Sequence, residues 1–207
     1  MPAYDAVLFD LFSALLDSQP AYDEVAGSPA LGLRWRREHS RLCYSAGDYR
    51  SHEGLIAEAA ARIGLAPARA RGLVARLGEL KPWPEGPGVL AALRATAKIG
   101  VVTNCSEEAG RRAATRVGVP FDVVATAEAA GAYKPRAEPY RLALEALKVD
   151  ATHTLFVAGS PDDIAGADRI GMSVYWHNRR GLDIGAGVRP LVEHDSLTPL
   201  VDGRFGR

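Results

Sequence analysis

Polar residues that could do chemistry follow four short apolar runs in this chain. Asp10 follows Ala6-Val7-Leu8-Phe9, and Thr103-Asn104 follow Ile99-Gly100-Val101-Val102. Lys134 lies in the loop beyond Asp122-Val123-Val124-Ala125. Ala158-Gly159-Ser160 follow Thr154-Leu155-Phe156-Val157, with Asp163 one helical turn later. Two carboxylates, an ammonium, hydroxyls and an amide are a sufficient kit for nucleophilic or acid–base chemistry on a small polar substrate.

These residues are worth grouping only if the elements bring them together. The four runs and a fifth, Ser173-Val174-Tyr175-Trp176, are apolar and bounded by turn residues, as parallel strands covered on both faces should be. Helical patterns fill the intervals at 107–117 and 138–147, and Ser160-Pro161 reads as an N-cap with Pro at the first helical position. Strands alternating with helices predict an open parallel α/β sheet, a Rossmann-like core. Such sheets place their sites at the carboxyl ends of the strands, which is where all the residues above fall.

The first interval is different. Between Asp17 and Pro84 there are helical stretches at 31–44, 48–63 and 67–80 and no convincing strand. The cluster Lys81-Pro82-Trp83-Pro84-Glu85-Gly86-Pro87-Gly88 reads as a linker or hinge, with the sheet resuming near residue 88. The expected division is a core of residues 1–16 and 85–207 and a small helical cap of residues 17–84. The tail after Gly181 reads as loop, with a short helix at 197–201.

Composition narrows the partners. The 207 residues carry 25 basic and 25 acidic side chains and no net charge, which argues against a nucleic-acid or anionic-membrane binder. No apolar run approaches the roughly 18 residues of a membrane helix. The start, MPAYDAVLFD, lacks the basic region of a signal peptide. Cys43 and Cys105 are too few for a disulfide framework, so a reducing cytoplasm is expected. The five His residues are scattered and form no metal pattern.

Phe9-Asp10-Leu11-Phe12-Ser13-Ala14-Leu15 resembles the first motif of the haloacid dehalogenase superfamily, Val101-Val102-Thr103-Asn104 its second and Tyr133-Lys134-Pro135 its third. Residues 156–167 resemble the fourth. The resemblance spans almost the whole chain, and its inserted cap falls where the helical insertion does. It implies that Asp10 is a covalent nucleophile. In the phosphatase branch, a second Asp two residues on protonates the leaving alkoxide; here Phe12 stands there. That branch also carries two acids in its fourth motif, where Gly159 replaces the first and Asp163 remains.

The chain is more similar to the L-2-haloacid dehalogenase branch, which uses no metal and needs no acid because halide leaves without a proton. Trp35-Arg36 resembles that branch's Trp-Arg pair, Lys134 and Tyr140 its Lys and Tyr, and Trp176-His177-Asn178-Arg179 its Trp-x-Asn-Arg. The resemblance implies catalytic roles for Asp10, Lys134 and Asp163. It implies substrate or halide contacts for Phe12, Arg36, Thr103, Asn104, Tyr140 and Ser160. The expected partner is a small 2-substituted carboxylic acid, a homodimer is compatible with this, and no cofactor is expected. A chain with only four lysines keeps one at 134, where a compact ammonium suits a carboxylate better than a guanidinium fork does.

Three positions depart from the branch: Ala14 for Thr, Ala158 for Ser and Ser160 for Asn. Each loses or alters a hydrogen bond near the nucleophile. They motivate one rival, a ligand-binding member without catalysis; a second rival, a Mg²⁺ phosphatase using Asp10 and Asp163, shares the covalent use of Asp10 but lacks the proton donor at Phe12. Plainer readings also stand beside individual roles. Asp163 could complete a capping box behind Ser160, Asn104 could cap the next helix, Arg36 could be a salt-bridged surface residue, and Tyr140 could be packing.

Overall fold

The computed structural model describes residues 4–202; the expected core bounds at 1 and 207, and the opening Met1-Pro2-Ala3, lie outside them. The sheet is parallel throughout, in the order β3-β2-β1-β4-β5-β6. Its strands are β1 (Ala6–Phe9), β2 (Lys98–Thr103), β3 (Val123–Thr126), β4 (Thr154–Ala158), β5 (Ser173–His177) and β6 (Val192–His194). β1 and β4 are buried at every residue, and alternate side chains serve opposite faces. Val7, Phe9, Val101, Leu155 and Val157 enter one apolar cluster, and Ala6, Leu8, Val102, Phe156 and Ala158 enter another. Two covered faces explain why these strands read as continuous rather than alternating apolar runs.

Register aligns the strand ends. Phe9 pairs with Val101 on one side and Val157 on the other, so Asp10 emerges level with the ends of β2 and β4. The first interval holds four helices, α1 (Gln19–Ala26), α2 (Pro29–Ala46), α3 (His52–Arg62) and α4 (Arg69–Leu77). α1 lies outside the helical stretches expected from sequence. It packs tightly on α2, where a Cβ at Gly32 would lie 2.6 Å from the Cα of Asp23. Where the chain leaves and re-enters the core, Leu16 and Pro82 form an antiparallel bridge, and Trp83 N–H donates to the Leu15 carbonyl at 2.9 Å.

Four expectations are corrected after that point. The Pro-Gly cluster is not linker throughout: α5 (Gly86–Leu93) opens inside it with Pro87 in its first turn. Val89, Leu90 and Leu93 are buried, so packing outweighs the poor propensity of the two glycines, and the sheet resumes only at Lys98. The tail is not all loop, because β6 adds an edge strand beside β5. The helix expected at 197–201 is a single 3₁₀ turn, Thr198–Leu200. The remaining helices are α6 (Glu107–Thr115), α7 (Ala127–Ala130), α8 (Ala137–Leu147) and α9 (Pro161–Arg169). Among the described residues no helix is long and apolar enough to cross a membrane.

Candidate active site

Lys134 Nζ lies 2.7 Å from Asp10 Oδ1 and 2.9 Å from Asp163 Oδ1. All three side chains are buried, Lys134 and Asp163 fully. The second oxygen of Asp10 accepts from Ser13 N–H at 3.0 Å, Ser13 Oγ at 2.7 Å and Ala14 N–H at 3.4 Å. Burial alone would raise the Asp10 pKa, but Lys134 and the Ser13 donors outweigh it and hold the group below the usual carboxylate range. Asp163 goes the other way. Burial, joined by repulsion from Asp10, exceeds the help from Lys134 and lifts it to about 6. One ammonium cannot fully satisfy two buried carboxylates, so the pair divides into a permanent anion and a group poised near neutrality.

Each member is set by its element. Asp10 caps the end of β1, and its backbone N–H donates to the Val157 carbonyl at 3.0 Å. Lys134 sits between α7 and α8. Its backbone N–H donates to Asn104 Oδ1 at 2.7 Å, and Asn104 Nδ2 donates back to its carbonyl at 3.2 Å. Asn104 therefore holds Lys134 and does not cap α6, whose N-cap position is Ser106. Asp163 forms no capping box, since Ser160 makes no side-chain cap bond at the start of α9. Both side chains turn instead to Tyr44 of α2, whose hydroxyl lies 2.9 Å from each. Asp163 Oδ2 is buried with no hydrogen-bond partner among the described residues.

A cleft of about 770 Å³ opens between the sheet ends and the inserted helices. Asp10, Phe12, Arg36, Thr103, Asn104 and Ser160 line it. Arg36 is half-buried, donates from Nε to Ser18 Oγ at 3.3 Å and makes no ion pair among the described residues. It is therefore not a salt-bridged surface residue of the kind Arg41 is, whose guanidinium pairs with Glu38. Its neighbour Trp35 is fully buried, donates to the Ile56 carbonyl at 3.0 Å and stacks edge-on with Tyr22, which fixes the turn that aims Arg36. Thr103 Oγ1 is buried without a partner among the described residues. Tyr140 does not line the cleft. It packs edge-on against Phe156 and its hydroxyl reaches the backbone carbonyl of Asp163 at 3.4 Å, so it supports that residue from behind.

Sequence reasoning missed Ser13 and Tyr44. Ser13 stood inside the first motif, three residues after Asp10, which is the spacing of a side chain that turns back on its own loop. Tyr44 gave one weak signal: Arg36, Ser40 and Tyr44 recur every four residues and so share a helix stripe.

A Mg²⁺ ion would need about six oxygen ligands in near-octahedral array. Three of the four carboxylate oxygens of Asp10 and Asp163 already accept from protein donors. No group of three or more His, Cys, Asp and Glu among the described residues could hold a metal. An acid at position 159 is also barred, since a Cβ there would lie 2.4 Å from both Ala14 N and Ser13 Oγ. The residues present do not fit that ion.

Fold and site together define a Rossmann-like parallel α/β sheet with a helical insertion over a buried carboxylate at its strand ends. Residues 4–171 match the haloacid dehalogenase-like hydrolases, and the chain belongs to that family. Haloacetate dehalogenase H-2 of Moraxella sp. (strain B) is 29% identical over 87% of this chain and 88% of its own length. (S)-2-Haloacid dehalogenase H-109 of Pseudomonas putida is 26% identical over the same shares. In fold, the chain is similar to L-2-haloacid dehalogenase of Xanthobacter autotrophicus, with a TM-score of 0.86 and 22% identity over 98% of this chain and 99% of that one.

Proposed function

We propose that the protein is a metal-independent hydrolase of small 2-haloacids, with Asp10 as nucleophile. The observation that carries this reading is Asp10, held ionised by Lys134 and opening on a cleft whose position 12 is Phe rather than an acid. A leaving group that needs a proton is poorly served there; a halide needs none. Asp10 attacks C2 in line, the carbon–halogen bond breaks, and halide departs with the bonding pair, leaving an aspartyl ester with inverted C2. Arg36, which lines the cleft and makes no ion pair among the described residues, receives the halide, and the remaining Nδ2 hydrogen of Asn104 assists. Thr103 Oγ1 orients the substrate carboxylate.

Water then adds to the ester carbonyl of Asp10 while Asp163 takes its proton. Negative charge develops on an oxygen that already faces Lys134 or the Ser13 and Ala14 donors, so no donor has to reorganise. Collapse expels the C2 alkoxide, which takes the proton held by Asp163 to give the 2-hydroxyacid, and the Asp10 carboxyl then loses the second proton of the water to solvent, restoring the carboxylate. Relatives named as haloacetate and 2-haloacid dehalogenases support the substrate class. Two buried free thiols, Cys43 and Cys105, support a reducing, cytoplasmic setting.

The test is chloride release from (S)-2-chloropropionate in EDTA and in Mg²⁺, beside Asp10→Asn. Release that survives EDTA and vanishes in the variant is expected. Turnover of p-nitrophenyl phosphate only with Mg²⁺, and no chloride, overturns the reading.

A further inference from the structure

Tyr44 is the one side chain of the inserted helices that hydrogen-bonds Asp163 among the described residues. Its single hydroxyl proton goes to Asp163 Oδ1 at 2.9 Å, so its oxygen accepts from Ser160 Oγ at 2.9 Å. The chain Ser160–Tyr44–Asp163 crosses from the sheet to the insertion and back, joining residues 116 and 119 positions apart. It stands where the sequence departs from the dehalogenase pattern: Ala158 and Ser160 both shorten side chains that would bond near the nucleophile. Lys134 already fixes Asp10, but with Tyr44 removed Asp163 would keep one protein donor instead of two.

We infer that Tyr44 is a positioning residue for the second step: it orients the Asp163 carboxylate from the cap side and assembles the water-activating group only when the insertion sits over the sheet. The inference rests on the proposed function for what that step is. The contact constrains Oδ1 through two donors, Lys134 and Tyr44, and leaves Oδ2, which has no partner among the described residues, as the basic end. Displacement of halide by Asp10 does not use this oxygen, so Tyr44 should matter to ester hydrolysis and not to ester formation. An opening of the insertion that admits substrate would break the Tyr44 bond and leave Asp163 less able to hold charge. The groups facing Asp163 from the packed elements are Asp10 after β1, Tyr44 of α2, Lys134 before α8, Tyr140 of α8 and Ser160 at its own helix start.

The experiment compares the whole wild-type enzyme with Tyr44→Phe, which keeps the ring. The expected result is a near-stoichiometric burst of chloride at the wild-type rate followed by slow turnover, with the ester visible by mass spectrometry. The acid limb of kcat should move up by about one pH unit, because a hydrogen bond to the charged form is lost. Ser160→Ala, which leaves Tyr44 in place, should shift it less in the same direction. Carboxyl ¹³C NMR, with the Asp163 signal assigned from Asp163→Asn, reads the same shift without turnover. A lowered melting temperature with limb, burst and NMR titration unmoved overturns the inference. If wild type releases no halide but the Asp163 titration moves in Tyr44→Phe, the Tyr44 role stands and the haloacid reading falls.

Discussion

The side chain of Asn104 and the backbone of Lys134 hold each other reciprocally, the amide oxygen accepting at 2.7 Å and the amide nitrogen donating at 3.2 Å. A lysine has a long, flexible stem, and fixing its backbone on both sides is what lets a buried ammonium meet two carboxylates without searching for them. The end of β2 thus acts on the chemistry through the loop before α8.

Asn104→Asp tests this directly. The new carboxylate cannot donate to the Lys134 carbonyl and brings a third negative charge to a site already short of cations. We expect a loss of about 1–3 kcal/mol in urea unfolding, the cost of stranding a buried polar group. kcat should fall at least about tenfold. Unchanged unfolding would show that the pairing carries no energy.

Lys134→Met leaves Asp10 and Asp163 facing one another with no cation between them. Breaking a buried ion pair on one side costs about 3–5 kcal/mol. Unfolding midpoints should drop accordingly and activity should vanish. Lys134→Arg should not restore turnover, since a planar fork cannot occupy the fully buried seat of an ammonium. Recovery of activity with Arg would contradict that geometry.

pH should separate the two carboxylates. Asp163, raised to about 6, must be ionised to take a proton from water, so kcat should fall about tenfold per unit as pH drops below that value. Its effect on stability has the opposite sign. A carboxyl whose folded pKa is raised favours the fold while protonated, so that contribution is lost as pH rises through the range of about 4 to 6. Asp163→Asn should therefore gain in melting temperature over wild type between pH 4 and 7 while losing turnover, a stability–function trade-off. A flat difference across that range would sink the assignment.

Arg36→Ala should cost turnover and spare the fold. Among the described residues the guanidinium has no acid partner and one hydrogen bond, to Ser18, so its removal breaks no ion pair there. A fall of about a hundredfold in kcat/KM with a melting temperature within about 2 °C is expected, consistent with losing a charge that acts on the leaving halide. The reverse pattern, a large drop in stability at constant rate, would make Arg36 structural.

Much of this site was legible because its signals are local. β1, β2 and β4 announce themselves as continuous apolar runs, and strand ends then select Asp10, Thr103 and Asn104. What was not legible depended on contacts distant in sequence. α5 hides in Gly86-Pro87-Gly88, whose composition says linker, and only the packing of Val89, Leu90 and Leu93 makes it a helix. β6 is three residues with Val192 as its apolar member, too little pattern to read before β5 is there to pair with it. Tyr44 sits in an Arg-rich helix, and its place on the Arg36 stripe does not name its partner, a carboxylate 119 residues away.

The tight seat of Gly159 bears on how this scaffold could change trade. An acid at position 12 is one substitution on the cleft wall. An acid at 159 must push aside the Ser13–Ala14 loop that grips the nucleophile, so the first step toward a new metal-dependent activity would disable the old one before anything replaced it. Single-residue walks between the two chemistries would pass through inactive proteins. A directed-evolution campaign should therefore vary residues 12–14 and 159 together, as one block.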